Sequence, residues 1–112
     1  MRTFIFTIAL LVASAICTFD RANAQEPTIT ITIRAHRFDP AEVRVPAGKR
    51  VTLNVLNDDP TPEEFESRSM KVEKVIPGKS KALIRIGPLA PGRYPFVGEF
   101  HEATAKGVVI AE

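Results

Sequence analysis

The stretch GRYPFVGEFHEATAKG, Gly92 to Gly107, combines a short aromatic strand with a polar turn. The apolar residues Val108 to Ala111 follow at once and predict a final strand. A strand, a turn and a second strand can hold a ligand-bearing loop on a rigid sheet. Because Glu99, His101 and Glu102 crowd together in this turn, we interpret it as half of a metal site, with Glu63 to Met70 as the other half.

The remaining chain shows the two-residue alternation of β-strands. Thr28 to Ala35 alternates threonine with isoleucine, and Arg50 to Asn57 alternates in the same way. Further strands are predicted at Lys81 to Ile86 and Arg93 to Phe100, with Pro- and Gly-rich turns between the segments. The pattern predicts an all-β domain, a single antiparallel Greek-key sandwich or barrel with seven to eight strands and no helix.

The first residues have the features of a secretory signal, which predicts a periplasmic protein. Arg2 precedes an apolar run from Phe4 to Ile16, and Ala22-Asn23-Ala24 gives a small-x-small cleavage pattern. We expect a signal peptide over 1–24, cleavage before Gln25, one domain over 25–112, and no direct membrane insertion afterwards. Cleavage would remove the one cysteine, Cys17, so the mature domain would have neither a disulfide nor a thiolate ligand.

Composition excludes several function classes. The 15 basic and 13 acidic residues nearly balance, and no basic stripe appears, so nucleic acid is not a predicted partner. Two histidines and no Gly-x-Ser-x-Gly turn leave no Ser-His-Asp set. No Gly-rich phosphate loop precedes a helix, which argues against nucleotide binding. The remaining chemistry is that of metal ligands.

The order of motifs resembles the cupredoxins. The frame F-x-P-x-x-V-x-V-P-x-G-x-x-V-T-L runs from Phe38 to Leu53, and P-G-x-Y-x-F-x-G runs from Pro91 to Gly98. A blue-copper centre needs two imidazoles and a thiolate. Where that family has its first histidine this chain has Pro62 to Phe65, and where it has its cysteine the chain has Gly98. Only His101 matches a ligand, so the comparison excludes ordinary type 1 electron transfer.

Two strings look like the small periplasmic cupredoxin-like component of bacterial ferrous-iron uptake systems that work with an Ftr/Efe type iron permease. They are DPTPEEFES, Asp59 to Ser67, and GEFHEATAKG, Gly98 to Gly107. The resemblance implies a bound copper or iron ion and a role as a ferroxidase accessory. It also implies two partners, an inner-membrane iron permease and an associated periplasmic iron-binding protein. The metal ligands to which it points are Glu64, Glu66, Met70, Glu99 and His101.

The residue chemistry is compatible with that ligand set. Glutamate, histidine and methionine together can hold a metal through a one-electron change. Glu64 and Glu66 are two apart in an extended segment, which places both on the side opposite Phe65. Met70 would serve equally well as core filler. We expect the remaining candidates to be solvated or at the surface, namely Glu63, Glu73, Glu102 and His36.

Two other functions remain open. A binding-only copper or iron chaperone would need the same ligands without redox turnover. A metal-free β-sandwich interaction domain would use the acids only as surface.

Overall fold

The structure, a computed structural model, describes residues 26–112, which form nine strands and one 3-10 turn. The strands are β1 Thr28–Arg34, β2 Arg37–Asp39, β3 Glu42–Val45, β4 Val51–Asn57, β5 Glu63–Ser67, β6 Val72–Ile76, β7 Ser80–Ile86, β8 Gly92–Gly98 and β9 Lys106–Ala111. The 3-10 turn, Glu99–His101, joins β8 to β9. The predicted signal peptide, 1–24, and its cleavage before Gln25 lie outside the described residues. Over the described range, no helix is long and apolar enough to cross a membrane.

The strands form two sheets, and the predicted all-β sandwich is confirmed. One sheet has the order β2-β1-β4-β7 and the other β3-β9-β8-β5-β6. The number of strands exceeds the predicted seven to eight because Arg37–Val45 supplies two short strands, one to each sheet. Two pairs, β1 with β4 and β3 with β9, are parallel, so the architecture is mixed rather than purely antiparallel. β4 enters beside β1 only after the chain has passed through both short strands.

Three phenylalanines from both sheets pack against one another in the core. The rings of Phe65 and Phe96 stack with centroids 4.8 Å apart, and Phe38 meets Phe96 edge-on at 4.9 Å. Each ring is at most 5 % exposed, and burial of such a side chain contributes about 1.5–3 kcal/mol. Phe65 is fully buried. Since it points inward, Glu64 and Glu66 on either side of it must point outward.

The β1–β2 turn is fastened by one buried carboxylate. Ala35 and His36 both have positive φ, 51° and 56°, the conformation of a tight hairpin turn that non-glycine residues adopt at a cost. Asp59 compensates, because Oδ1 accepts the N–H of Ala35 at 2.8 Å and Oδ2 that of His36 at 2.9 Å. The hydrogen bond from His36 is the largest cause that lowers the pKa of Asp59. His36 is therefore held at the end of the sandwich that carries the 3-10 turn.

Candidate metal centre

Four glutamates converge on the outer face of the five-stranded sheet; we call them the acidic cluster, Glu64, Glu66, Glu73 and Glu99. The β5–β6 register pairs Glu66 with Glu73. The β5–β8 register pairs Phe65 with Gly98, which brings the following residue, Glu99, beside Glu64. One carboxylate oxygen from each of Glu64, Glu73 and Glu99 lies within 4.8 Å of the others. Strand pairing thus builds a concentrated oxygen-donor site.

Among residues 26–112, the Glu64 carboxylate has no cationic partner. The residue is only 9 % exposed, and within residues 26–112 no ion pair involves it or the other three acids. A hydrogen bond with Glu73, burial and the charge of Glu99 raise the pKa of Glu64 to about 7. A hydrogen bond with Glu99, burial and the nearby acid charges also raise the pKa of Glu66. A bound cation would relieve this repulsion.

On the inner side of the same strand, Glu63 binds His101. Glu63 Oε2 lies 2.5 Å from His101 Nδ1, and Oε1 accepts the N–H of Phe100 at 2.9 Å and of Glu64 at 3.0 Å. The Glu63 residue is 1 % exposed, and a buried carboxylate needs such partners. An ionised carboxylate can only accept, so the contact with ionised Glu63 requires the tautomer in which His101 donates its Nδ1–H.

His36 covers the ring of His101. The two imidazoles stack with centroids 3.5 Å apart and planes 11° from parallel. Thr104 Oγ1 donates to the His36 carbonyl at 2.6 Å, which joins the β1–β2 turn to the loop after the 3-10 turn. Nitrogen lone pairs lie in the ring planes, so parallel stacked rings do not aim two nitrogens at one ion.

The structure separates the five sequence-predicted ligands into three groups. Glu64, Glu66 and Glu99 come together in the acidic cluster. His101 binds Glu63 instead, and Met70 is half-buried and packs against the hydrophobic core. A mixed Glu/His/Met pocket is therefore not the arrangement of these side chains.

Of the acids expected to be solvated, Glu63 is not, and Glu73 takes part in a cluster that the sequence did not indicate. Glu63 is buried, so that expectation was wrong; the inward side of β5 meets the end of β8, where His101 and two backbone N–H groups satisfy the carboxylate. Glu73 is exposed as expected, but it belongs to the acidic cluster. Its position opposite Glu66 depends on the β5–β6 register, which the sequence pattern alone did not indicate. Glu102 is exposed as expected.

The residues do not fit a type 1 copper ion. Gly98 has no thiolate and no room for one: a Cβ built there would lie 2.6 Å from Glu63 Cδ and 2.7 Å from the Cβ of Ala105. Glu63 also occupies the Nδ1 side of His101. The Glu63 carboxylate and its hydrogen bonds fill this place, and residues 26–112 contain no cysteine that could supply the thiolate of a type 1 centre.

Comparisons with known proteins agree with this architecture. A family model described as the cupredoxin-like domain matches residues 7–111. An uncharacterized protein of Rickettsia prowazekii, RP394, is 38% identical over 91 residues, which cover 81% of this chain and 73% of that protein.

Two solved structures share the fold. The metal-binding domain of the Cu(I)-exporting P-type ATPase CopA of Streptococcus pneumoniae D39, solved with Cu(I), has a TM-score of 0.68 at 18% identity, covering 76% of this chain and 84% of that domain. Auracyanin A, a blue copper protein of Chloroflexus aurantiacus, has a TM-score of 0.65 at 16% identity, covering 76% of this chain and 98% of that protein.

Proposed function

Because the chain belongs to the cupredoxin-like domain family, we propose that it is a periplasmic metal-binding protein that takes ferrous iron at the acidic cluster, assists its oxidation and passes it to an inner-membrane iron permease. One observation carries this proposal. Three carboxylate oxygens converge around Glu64, which is nearly buried and has no ion-pair partner within residues 26–112. A cation bound by these oxygens would neutralise their charges.

Iron suits these donors better than a soft metal does. Carboxylate oxygens are hard ligands that favour the higher-charged ferric ion, so binding lowers the cost of removing an electron from ferrous iron. That electron would pass to an external acceptor such as dioxygen. The ferric product would then be handed on, with the permease and an associated periplasmic iron-binding protein as the proposed recipients.

Copper enters the proposal only as an ion that competes for the same oxygens. Copper is named for both similar structures, but this chain has a glycine, Gly98, at the end of β8 and the Glu63–His101 pair beside it. Copper(II) on this protein would lack a thiolate, and the intense blue colour of type 1 sites would be absent.

Anaerobic calorimetric titration with Fe(II) tests the site. We expect Glu64→Gln and Glu99→Gln each to weaken Fe(II) binding by about tenfold or more, because each removes a charged oxygen donor from the ion. Glu102→Gln is the matched control. It also removes one negative charge, directly after the 3-10 turn, but Glu102 lies outside the acidic cluster, and we expect the affinity to be unchanged. Equal affinities for all four proteins would contradict the proposal.

Binding-only delivery is the alternative within the same site, since the acidic cluster would hold ferrous iron with or without turnover. Oxygen consumption with Fe(II) separates the two functions. We expect oxidation faster than in buffer and faster again with permease-containing vesicles, and we expect Glu64→Gln to abolish the gain. Tight Fe(II) binding without any gain would leave delivery alone. Absence of binding would favour the metal-free interaction domain.

A further inference from the structure

The Glu63–His101 pair joins the two elements that carry the acidic cluster. Glu63 precedes Glu64 on β5, and His101 lies two residues after Glu99 in the 3-10 turn. Glu63 also accepts the N–H groups of Phe100 and Glu64. The inward carboxylate therefore fastens the strand to the turn directly behind the place where Glu64 and Glu99 face each other outward.

The outward acids need such a fastening. Glu64 and Glu99 bring carboxylate oxygens within 4.8 Å of one another, a separation at which like charges repel, and the 3-10 turn has no buried residue of its own to hold it. The turn is closed instead by its backbone, because His101 O accepts the N–H of Ala105 at 2.8 Å and Ala105 O accepts the N–H of Gly98 at 2.9 Å. The Glu63 contacts then tie this closed loop to β5.

We propose that Glu63 and His101 form a metal-free latch, which positions Glu99 against Glu64 for cation binding. His101 is a positioning residue here and not a ligand. Glu63 at Nδ1 and the stacked ring of His36 fix the orientation of the His101 ring. Within residues 26–112, the side-chain atoms that lie within 4.8 Å of one another belong to Glu64, Glu73 and Glu99, and the ring nitrogens of His101 are not among them. The latch rests on the proposed cation site and explains how mutually repelling acids stay together.

Two substitutions at His101 distinguish a latch from a ligand. His101→Gln keeps an N–H donor for Glu63, whereas His101→Ala leaves that buried carboxylate without its partner. With Mn(II) as a redox-stable hard probe, we expect His101→Ala to lose affinity by about tenfold, as a lost supporting contact does, and His101→Gln to keep most of it. A ligand role predicts losses in both variants.

Pulsed EPR of the Mn(II)-loaded, unchanged protein supplies a readout independent of folding. We expect no imidazole nitrogen coupling to the ion. Such a coupling, or equal losses of affinity in His101→Gln and His101→Ala, would overturn the latch while leaving the cation site intact. Absence of Mn(II) and Fe(II) binding by the unchanged protein would instead contradict the proposed function, and with it the positioning role.

Discussion

Glu64 is a nearly buried acid on the outer face of the sheet, with the carboxylates of Glu73 and Glu99 close to its own. Its two acidic neighbours and its burial raise its pKa from the usual 4.5 to about 7. The folded protein thus holds this proton more tightly than the unfolded chain does. The ionised form of Glu64 therefore lowers the free energy of unfolding above about pH 7. This loss of stability shrinks as the pH falls from about 7 to about 4.5, where the carboxylate is protonated in both states.

Melting temperatures measured across this pH range test whether stability rises as the pH falls. We expect the melting temperature of the metal-free protein to rise as the pH is lowered from about 7.5 to about 5, and Glu64→Gln to flatten that rise because it removes the titrating group. Glu102→Gln should keep the slope of the unchanged protein. A Glu64→Gln profile parallel to that of the unchanged protein would mean that Glu64 is not the group responsible.

At the scale of elements, the site depends on how closely the end of β8 approaches β5. Gly98 sits opposite Phe65, and a side chain there would press on Glu63 and Ala105. We expect Gly98→Ala to lower the free energy of unfolding by about 1–3 kcal/mol, the usual cost of overpacking. Urea unfolding of the metal-free protein measures this change.

The contact with Glu63 makes a double-mutant cycle informative. In a Glu63→Ala background the Gly98→Ala substitution should cost less, since one of the two opposing groups has gone and only Ala105 remains. Additive effects of the two changes would show that Gly98 and Glu63 do not share this space.

At the scale of the whole molecule, one apolar core between two sheets supports the fold, and its buried residues come from both sheets. The family match begins at residue 7 and the described residues begin at 26. Neither gives the first residue of the mature protein. We expect the exported protein to begin at or close to Gln25, because the small-x-small pattern at Ala22 to Ala24 favours cleavage there. Intact-mass analysis of protein from the periplasm checks this. A mass that retains 1–24 would refute it.

The sequence alone determined the features that depend on local periodicity. Alternating residues in Thr28 to Ala35 and Arg50 to Asn57 predicted strands because side chains of a strand alternate between its two faces, and the structure has β1 and β4 there. The same rule placed Glu64 and Glu66 together, opposite Phe65. Turn residues fixed where strands end, since proline and glycine interrupt the ladder.

Only the tertiary structure decided what meets across strands. Glu73 joins the cluster through the β5–β6 register, and Glu63 meets His101 because β5 lies beside the end of β8. His36 reaches the same place through a turn held by Asp59. The physical reason is that the alternation of side chains within one strand decides which face of the sheet each residue lies on. Contacts between residues far apart in sequence depend instead on strand order and register, which the packing of the whole core selects.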